Sequence, residues 1–156
     1  MSKTPDAQVV SDLDSTVAFA TTEGGDTSRL GVTGFCWGGR QTWLFAEHNP
    51  KGKAAVAWYG PLTNAPNPLQ PKRAIDDVSD LKGPILGLYG AADQGIPVES
   101  VNAIKTAADA VGKTVEVVIY PDTPHAFNVD YRLSYRPGPA ADGWARLQAW
   151  FKKYLV

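Results

Sequence analysis

Apolar positions recur along this chain with two periods, one helical and one strand-like, and the alternation between them points to the architecture. Val9, Val10, Leu13 and Val17 fall at spacings that share one helix face, and Gly24–Gly25 closes that segment. Arg29 to Phe35 then reads as a strand. Gly38 to His48 is helical in character, and Asn49–Pro50 stops it, because the residue before a proline is pushed out of the helical region. Ala54 to Tyr59 is a short apolar strand. The following segment, Gly60 to Lys82, is rich in Pro and Asn and predicts a surface excursion. Pro84 to Tyr89 reads as a strand, Val98 to Val111 as a helix, and Thr114 to Tyr120 as a strand carrying three valines and an isoleucine. Trp144, Leu147, Phe151 and Leu155 predict a last helix with one apolar stripe, and Lys152 and Lys153 in its final turn complement the helix dipole. Strands alternating with helices predict an α/β fold, a largely parallel sheet flanked by helices. No repeat or composition shift divides residues 1–156, which read as one domain.

Composition narrows the function classes. A chain of 156 residues can bury roughly 70% of the surface its unfolded form exposes. With 44% hydrophobic and 20% charged residues it is too apolar to be disordered. Fifteen Lys and Arg against sixteen Asp and Glu give a formal charge of -1, so nothing draws the chain to nucleic acid or an anionic membrane. No apolar run approaches the ~20 residues of a membrane helix, and the polar start MSKTPDAQ lacks a signal-peptide core, so a cytoplasmic location is expected. One cysteine forms no internal disulfide, and His48 and His125 alone form no metal-binding cluster. Neither metal nor cofactor is expected.

The single cysteine sits in GVTGFCWGGR, residues 31–40, directly after a predicted strand and before a predicted helix. Cys36 has Gly34 two positions before it and Gly38 two positions after. A sharp strand-to-helix corner strains the central residue and brings the two elements so close that side chains at both flanks would collide. The corner also leaves the sulfur at a helix N-terminus, where unpaired N–H groups favour a thiolate. A buried, merely packed cysteine is the plain alternative; the elbow pattern favours a nucleophile. His48 lies at the far end of the same helix, roughly 18 Å away, and cannot serve as its base. His125, in the loop YPDTPHAF after the last predicted strand, belongs to the same sheet edge as Cys36 and is the favoured base. Two aspartates compete to orient it. Asp93, in GAADQGIP, also follows a strand end, whereas Asp122 is more simply a turn former. The order nucleophile, acid, histidine favours Asp93.

GFCWGGR, GAADQGIP, PHAFN and the closing GWARLQAWFKKYL together resemble the dienelactone hydrolase (carboxymethylenebutenolidase) family, α/β-hydrolases that use cysteine where most relatives use serine. The resemblance implies a three-layer α/β-hydrolase sandwich, with Cys36 as nucleophile, Asp93 as acid, His125 as base and the backbone N–H of Trp37 as an oxyanion donor. It also implies hydrolysis of a small lactone or ester through an acyl-thioester. Tyr59 and Phe127, with Trp37, Trp58 and Tyr131, are candidates to line a substrate pocket, although core packing explains each equally well. Some members place a carboxylate-binding arginine where this chain has Val129, leaving Arg132 or Arg136 as substitutes. Glutamine amidotransferases also carry a cysteine elbow, but their later histidine is followed closely by a glutamate, which PHAFN lacks. By the same resemblance, the family's strands preceding the elbow strand have no counterpart here. The expectation is then an open edge on the elbow strand, and either self-association or a partner chain that supplies the missing strands. The competing expectation is a truncated, weakly active or inactive hydrolase half serving as a subunit or binding module.

Overall fold

The computed structural model describes residues 3–156. Its elements follow in the order α1 (Asp6–Thr22), β1 (Leu30–Phe35), α2 (Trp37–His48), β2 (Gly52–Trp58), β3 (Ile85–Gly90), α3 (Val98–Ala110), β4 (Val115–Tyr120) and α4 (Pro137–Tyr154), with short 3-10 turns at Thr27–Arg29 and Val78–Asp80. The strands form one parallel sheet in the order β1-β2-β3-β4. This is the α/β architecture that the alternation of patterns predicts.

The sequences of β2 and β3 explain their central place. GKAAVAW and ILGLYG are nearly continuous apolar runs, buried on both faces, as parallel strands covered by helices must be. The strand β1 is half-buried and, among the described residues, pairs only with β2. Its glycines show how the layers form. Gly31 and Gly34 are three apart and therefore point to opposite faces of the pleat. A Cβ on Gly31 would meet Phe151 of α4 and Leu155, which caps that helix, and one on Gly34 would meet Gly38 and Thr42 of α2. The helices α2 and α4 thus cover opposite faces, giving three layers.

Two expectations need correction. Helix α4 starts at Pro137, near the N-terminal position where proline's missing N–H costs nothing, and its buried residues are Gly143, Leu147 and Trp150. Trp144 is 51% exposed. The inward face is turned because Gly143 lets the helix settle on the Trp58 ring, whose atoms would lie 2.6 Å from an added Cβ. The 60–82 segment is also more than a surface excursion: Leu62, Ala74, Val78 and Leu81 return to the core. Among the described residues no helix is long and apolar enough to cross a membrane.

Candidate active site

The corner between β1 and α2 is held from both sides. Cys36 adopts φ 55° and ψ −121°, a conformation costly for any side-chain-bearing residue. Its N–H donates to the Trp58 carbonyl at 3.0 Å, and its own carbonyl accepts the Arg40 N–H at 3.2 Å. The side chain is exposed. Close approach here depends on Gly34, Gly39 and Gly60: an added Cβ would lie 2.3 Å from the Gly38 oxygen, 2.6 Å from the Trp58 oxygen and 2.4 Å from the Gly39 carbonyl carbon, respectively. Gly38, expected to share this duty with Gly34, has no atom within 4 Å of an added Cβ. The strand approaches its carbonyl instead, and its Cα side is open. Trp37 opens α2, so its N–H lies in the turn that has no intrahelical acceptor.

A buried ion pair fixes the helix behind this corner. Arg40 donates to both oxygens of Asp6 at 2.6 and 2.8 Å and to the Lys72 carbonyl at 2.6 Å, while Gln41 donates to Asp6 at 3.0 Å. Burial pushes the Asp6 carboxyl up, but the hydrogen bonds from Arg40 and Gln41 outweigh it and hold the group below the usual carboxylate range.

The loops after β3 and β4 meet on the same edge of the sheet. Ala91 donates to Tyr120 at 2.9 Å and Ala92 to Thr123 at 3.0 Å, stitching the loop after β3 to the loop after β4. Gly90 permits this, since an added Cβ would sit 2.1 Å from the Thr123 oxygen. The stitching brings His125 Nδ1 to 2.6 Å from Asp93 Oδ2. The Asp93 side chain is 3% exposed and that of His125 35%, so the carboxylate is sealed in and the imidazole reaches outward. The second Asp93 oxygen accepts the Gly95 N–H at 2.9 Å. Asp122 is exposed at φ 50° in its turn. His48, at the far end of α2, pairs with Asp14 at 2.8 Å.

Tyr59 links the two halves. Its ring meets that of His125 edge-on with centroids 4.9 Å apart, and its hydroxyl donates to Asn128 Oδ1 at 3.0 Å. Burial pushes this hydroxyl up to about 12, with the Cys36 charge adding to the rise and Arg132 opposing it. Arg132 is exposed, whereas Arg136 is engaged by the Leu133 and Tyr135 carbonyls. Neither Tyr59 nor Phe127 lines an open pocket, as the sequence reading allows: both side chains are fully buried, Phe127 against Trp58, Tyr59 and Tyr120. The positive φ of Ala126 turns the chain inward directly after His125. A cleft of about 610 Å³ is lined by Asp93 and His125 together with Pro61, Ile96 and Pro124, with Asn64 and Gln94 as further polar groups. Among the described residues no group of three or more His, Cys, Asp or Glu is placed to hold a metal.

Asn128, Gly60 and the Asp6–Arg40 pair are contributors that pattern reading misses. Glycine at the end of β2 is a usable signal for Gly60; the ion pair joins positions 34 apart and leaves none.

A parallel sheet with a strained cysteine corner after β1 and an aspartate–histidine pair in the loops after β3 and β4 has the α/β-hydrolase arrangement. The chain belongs to the dienelactone hydrolase family, whose model matches residues 1–155. It is 60% identical over 157 aligned residues to a Methylorubrum extorquens protein named "Putative carboxymethylenebutenolidase", covering 100% of this chain and 54% of that protein. An Escherichia coli protein of the same name is 53% identical, over 99% of this chain and 57% of its own length. The crystal structure titled as a "Putative Dienelactone Hydrolase" from Klebsiella pneumoniae superposes with a TM-score of 0.94 at 53% identity, covering 97% of this chain and 63% of that one. The chain thus spans little more than half the length of the curated relatives it matches.

Proposed function

We propose that this chain carries the nucleophile, acid and base of a cysteine hydrolase acting on a small lactone or ester of the dienelactone type. The observation that carries this reading is an exposed, strained Cys36 at the β1–α2 corner, on the same edge of the parallel sheet as a His125 oriented by the buried Asp93.

In this reading His125 accepts the Cys36 thiol proton, and the thiolate adds to the substrate carbonyl. The Trp37 N–H donates to the oxyanion; losing one such donor costs ~100–1000-fold in turnover where it has been removed. The carbon–oxygen bond then breaks, His125 returns its proton to the leaving oxygen, and an acyl-thioester remains on Cys36. Water gives a proton to His125 as its oxygen attacks the thioester, and departure of the thiolate yields the acid. Asp93 keeps Nδ1 protonated and stabilises the imidazolium. Arg132, exposed in the loop after His125, offers a charge to a carboxylate-bearing substrate, and the buried Tyr59 ring backs the imidazole. Turnover of dienelactone against simple aryl esters tests the substrate class; preference for a plain aryl ester would reject it. A reduced, cytoplasmic setting belongs to the same proposal, because the thiol must stay free.

One observation favours a subunit reading alongside. Among the described residues β1 pairs with no strand on its outer side, and Phe35 on it is 40% exposed, which suits addition of a further strand. We infer that the chain associates through this edge with a second copy or with a chain supplying such strands. Sedimentation across a dilution series should show concentration-dependent mass; a monodisperse monomer with full lactonase activity would contradict it.

A further inference from the structure

A second cleft, of about 420 Å³, lies between α1, α2 and the 71–82 segment, away from the cysteine corner. That volume suits a small molecule. One wall is apolar, made by Ala7, Val10, Leu44 and Pro71, and Glu47 lies at the other side with Asp80 and Lys82. Glu47 is only 6% exposed, and its Oε1 is buried without any hydrogen-bond partner. Buried polar atoms are satisfied almost everywhere in folded proteins, so an orphaned carboxyl oxygen beside a cavity marks a place for a donor.

The charges around it indicate which donor. Arg40 is committed to Asp6, His48 to Asp14 and Lys72 to Asp77. Of the remaining groups, Asp80 has no ion pair among the described residues, and Lys82 stands exposed at the rim. Lys82 balances one charge at the rim, which leaves Glu47 Oε1 as the acceptor without a donor. A metal ion is disfavoured, since no group of three or more acidic, His or Cys ligands is placed to hold one among the described residues. A carboxylate ligand would face Glu47, Asp77 and Asp80 together.

We propose that this cleft binds a small primary alkylammonium, whose N–H groups donate to Glu47 and Asp80 while its methylene chain lies against Ala7, Val10, Leu44 and Pro71. The proposal is independent of the thiol chemistry. It has a proton signature. Burial, with Asp77 and Asp80 adding to it and Lys72 opposing, pushes the empty-site Glu47 carboxyl up to about 9. An arriving ammonium reverses that preference, so the neutral carboxyl plus the ammonium becomes a carboxylate–ammonium pair plus one proton released to solvent.

Calorimetric titration of the 156-residue chain with butylamine and putrescine, in two buffers of different ionisation enthalpy near neutral pH, tests this. The expected result is saturable amine binding with close to one proton released per ligand, and none with butanol, butyrate or magnesium chloride. Glu47→Gln should weaken binding by roughly tenfold or more and abolish proton release. Asp80→Asn, at an exposed position, should weaken it several-fold and keeps the test intact if the buried variant folds poorly. Absence of amine binding, preference for butyrate or magnesium, or unchanged affinity in both variants would overturn the proposal.

Discussion

Asp93 Oδ2 lies 2.6 Å from His125 Nδ1, and the other oxygen of the same carboxylate is held at 2.9 Å by the Gly95 N–H. The carboxylate is buried and the imidazole is partly open, so the pair fixes one tautomer and leaves Nε2 as the outward nitrogen. Both depend on the backbone stitching of the two loops across Gly90.

That relationship separates the two aspartates by experiment. Asp93→Asn should lower hydrolysis on the order of 10³–10⁴-fold by disturbing the tautomer. Asp122→Asn, on an exposed turn, should change turnover by less than about tenfold. Steady-state rates of the two variants check this, and equal losses would reassign the acid.

The glycines of the corner differ in a way that stability measurements resolve. Gly34→Ala places a methyl 2.3 Å from the Gly38 oxygen, a backbone clash that cannot rotate away. It should cost about 3 kcal/mol or more, lowering Tm by roughly 6–12 °C. Gly38→Ala meets nothing within 4 Å and removes a glycine from a helix, so it should be neutral or stabilising by up to about 1 kcal/mol. Thermal denaturation of both decides it.

Glu47 makes the fold sensitive to alkali. Its folded-state carboxyl sits near 9, against about 4.3 when unfolded. Between those values the native state holds a proton that the unfolded state has lost, so this group makes stability fall as pH rises. The slope is at most about 1.4 kcal/mol per pH unit. Glu47→Gln removes the term. It should be nearly as stable as the parent at pH 4.5 and increasingly more stable towards pH 8, as read from urea midpoints. Parallel pH profiles for the two proteins would contradict this.

The apolar periodicity located the strands well because they are short, separated by turn residues and, in β2 and β3, buried on both faces. Strand starts differ from the expected positions by one or two residues, as at Gly52 against Ala54. Periodicity did not show which side of α4 faces inward. Trp144 fits the apolar stripe, but Gly143 faces the sheet because the Trp58 ring needs the space. A glycine carries no hydrophobic signal, so that contact is invisible in a pattern. Phe127 was equally readable as pocket or core, and only the inward turn at Ala126 decides for the core. At the site, local motifs marked Cys36, Asp93 and His125 as strand-end residues. The Asp6–Arg40 pair and the orphaned Glu47 arise from long-range packing alone.

The central claim is that Cys36 takes up an acyl group with His125 as its base. Intact-mass spectrometry of the chain, quenched during reaction with an activated acetate ester, measures this directly. The account predicts one added acetyl group, mapped by peptide analysis to Cys36. The adduct should be absent in Cys36→Ala, form more slowly in His125→Gln, and clear with time in the parent protein. Hydrolysis of the ester by Cys36→Ala at the parent's rate, or acetylation at any residue other than Cys36, would contradict it.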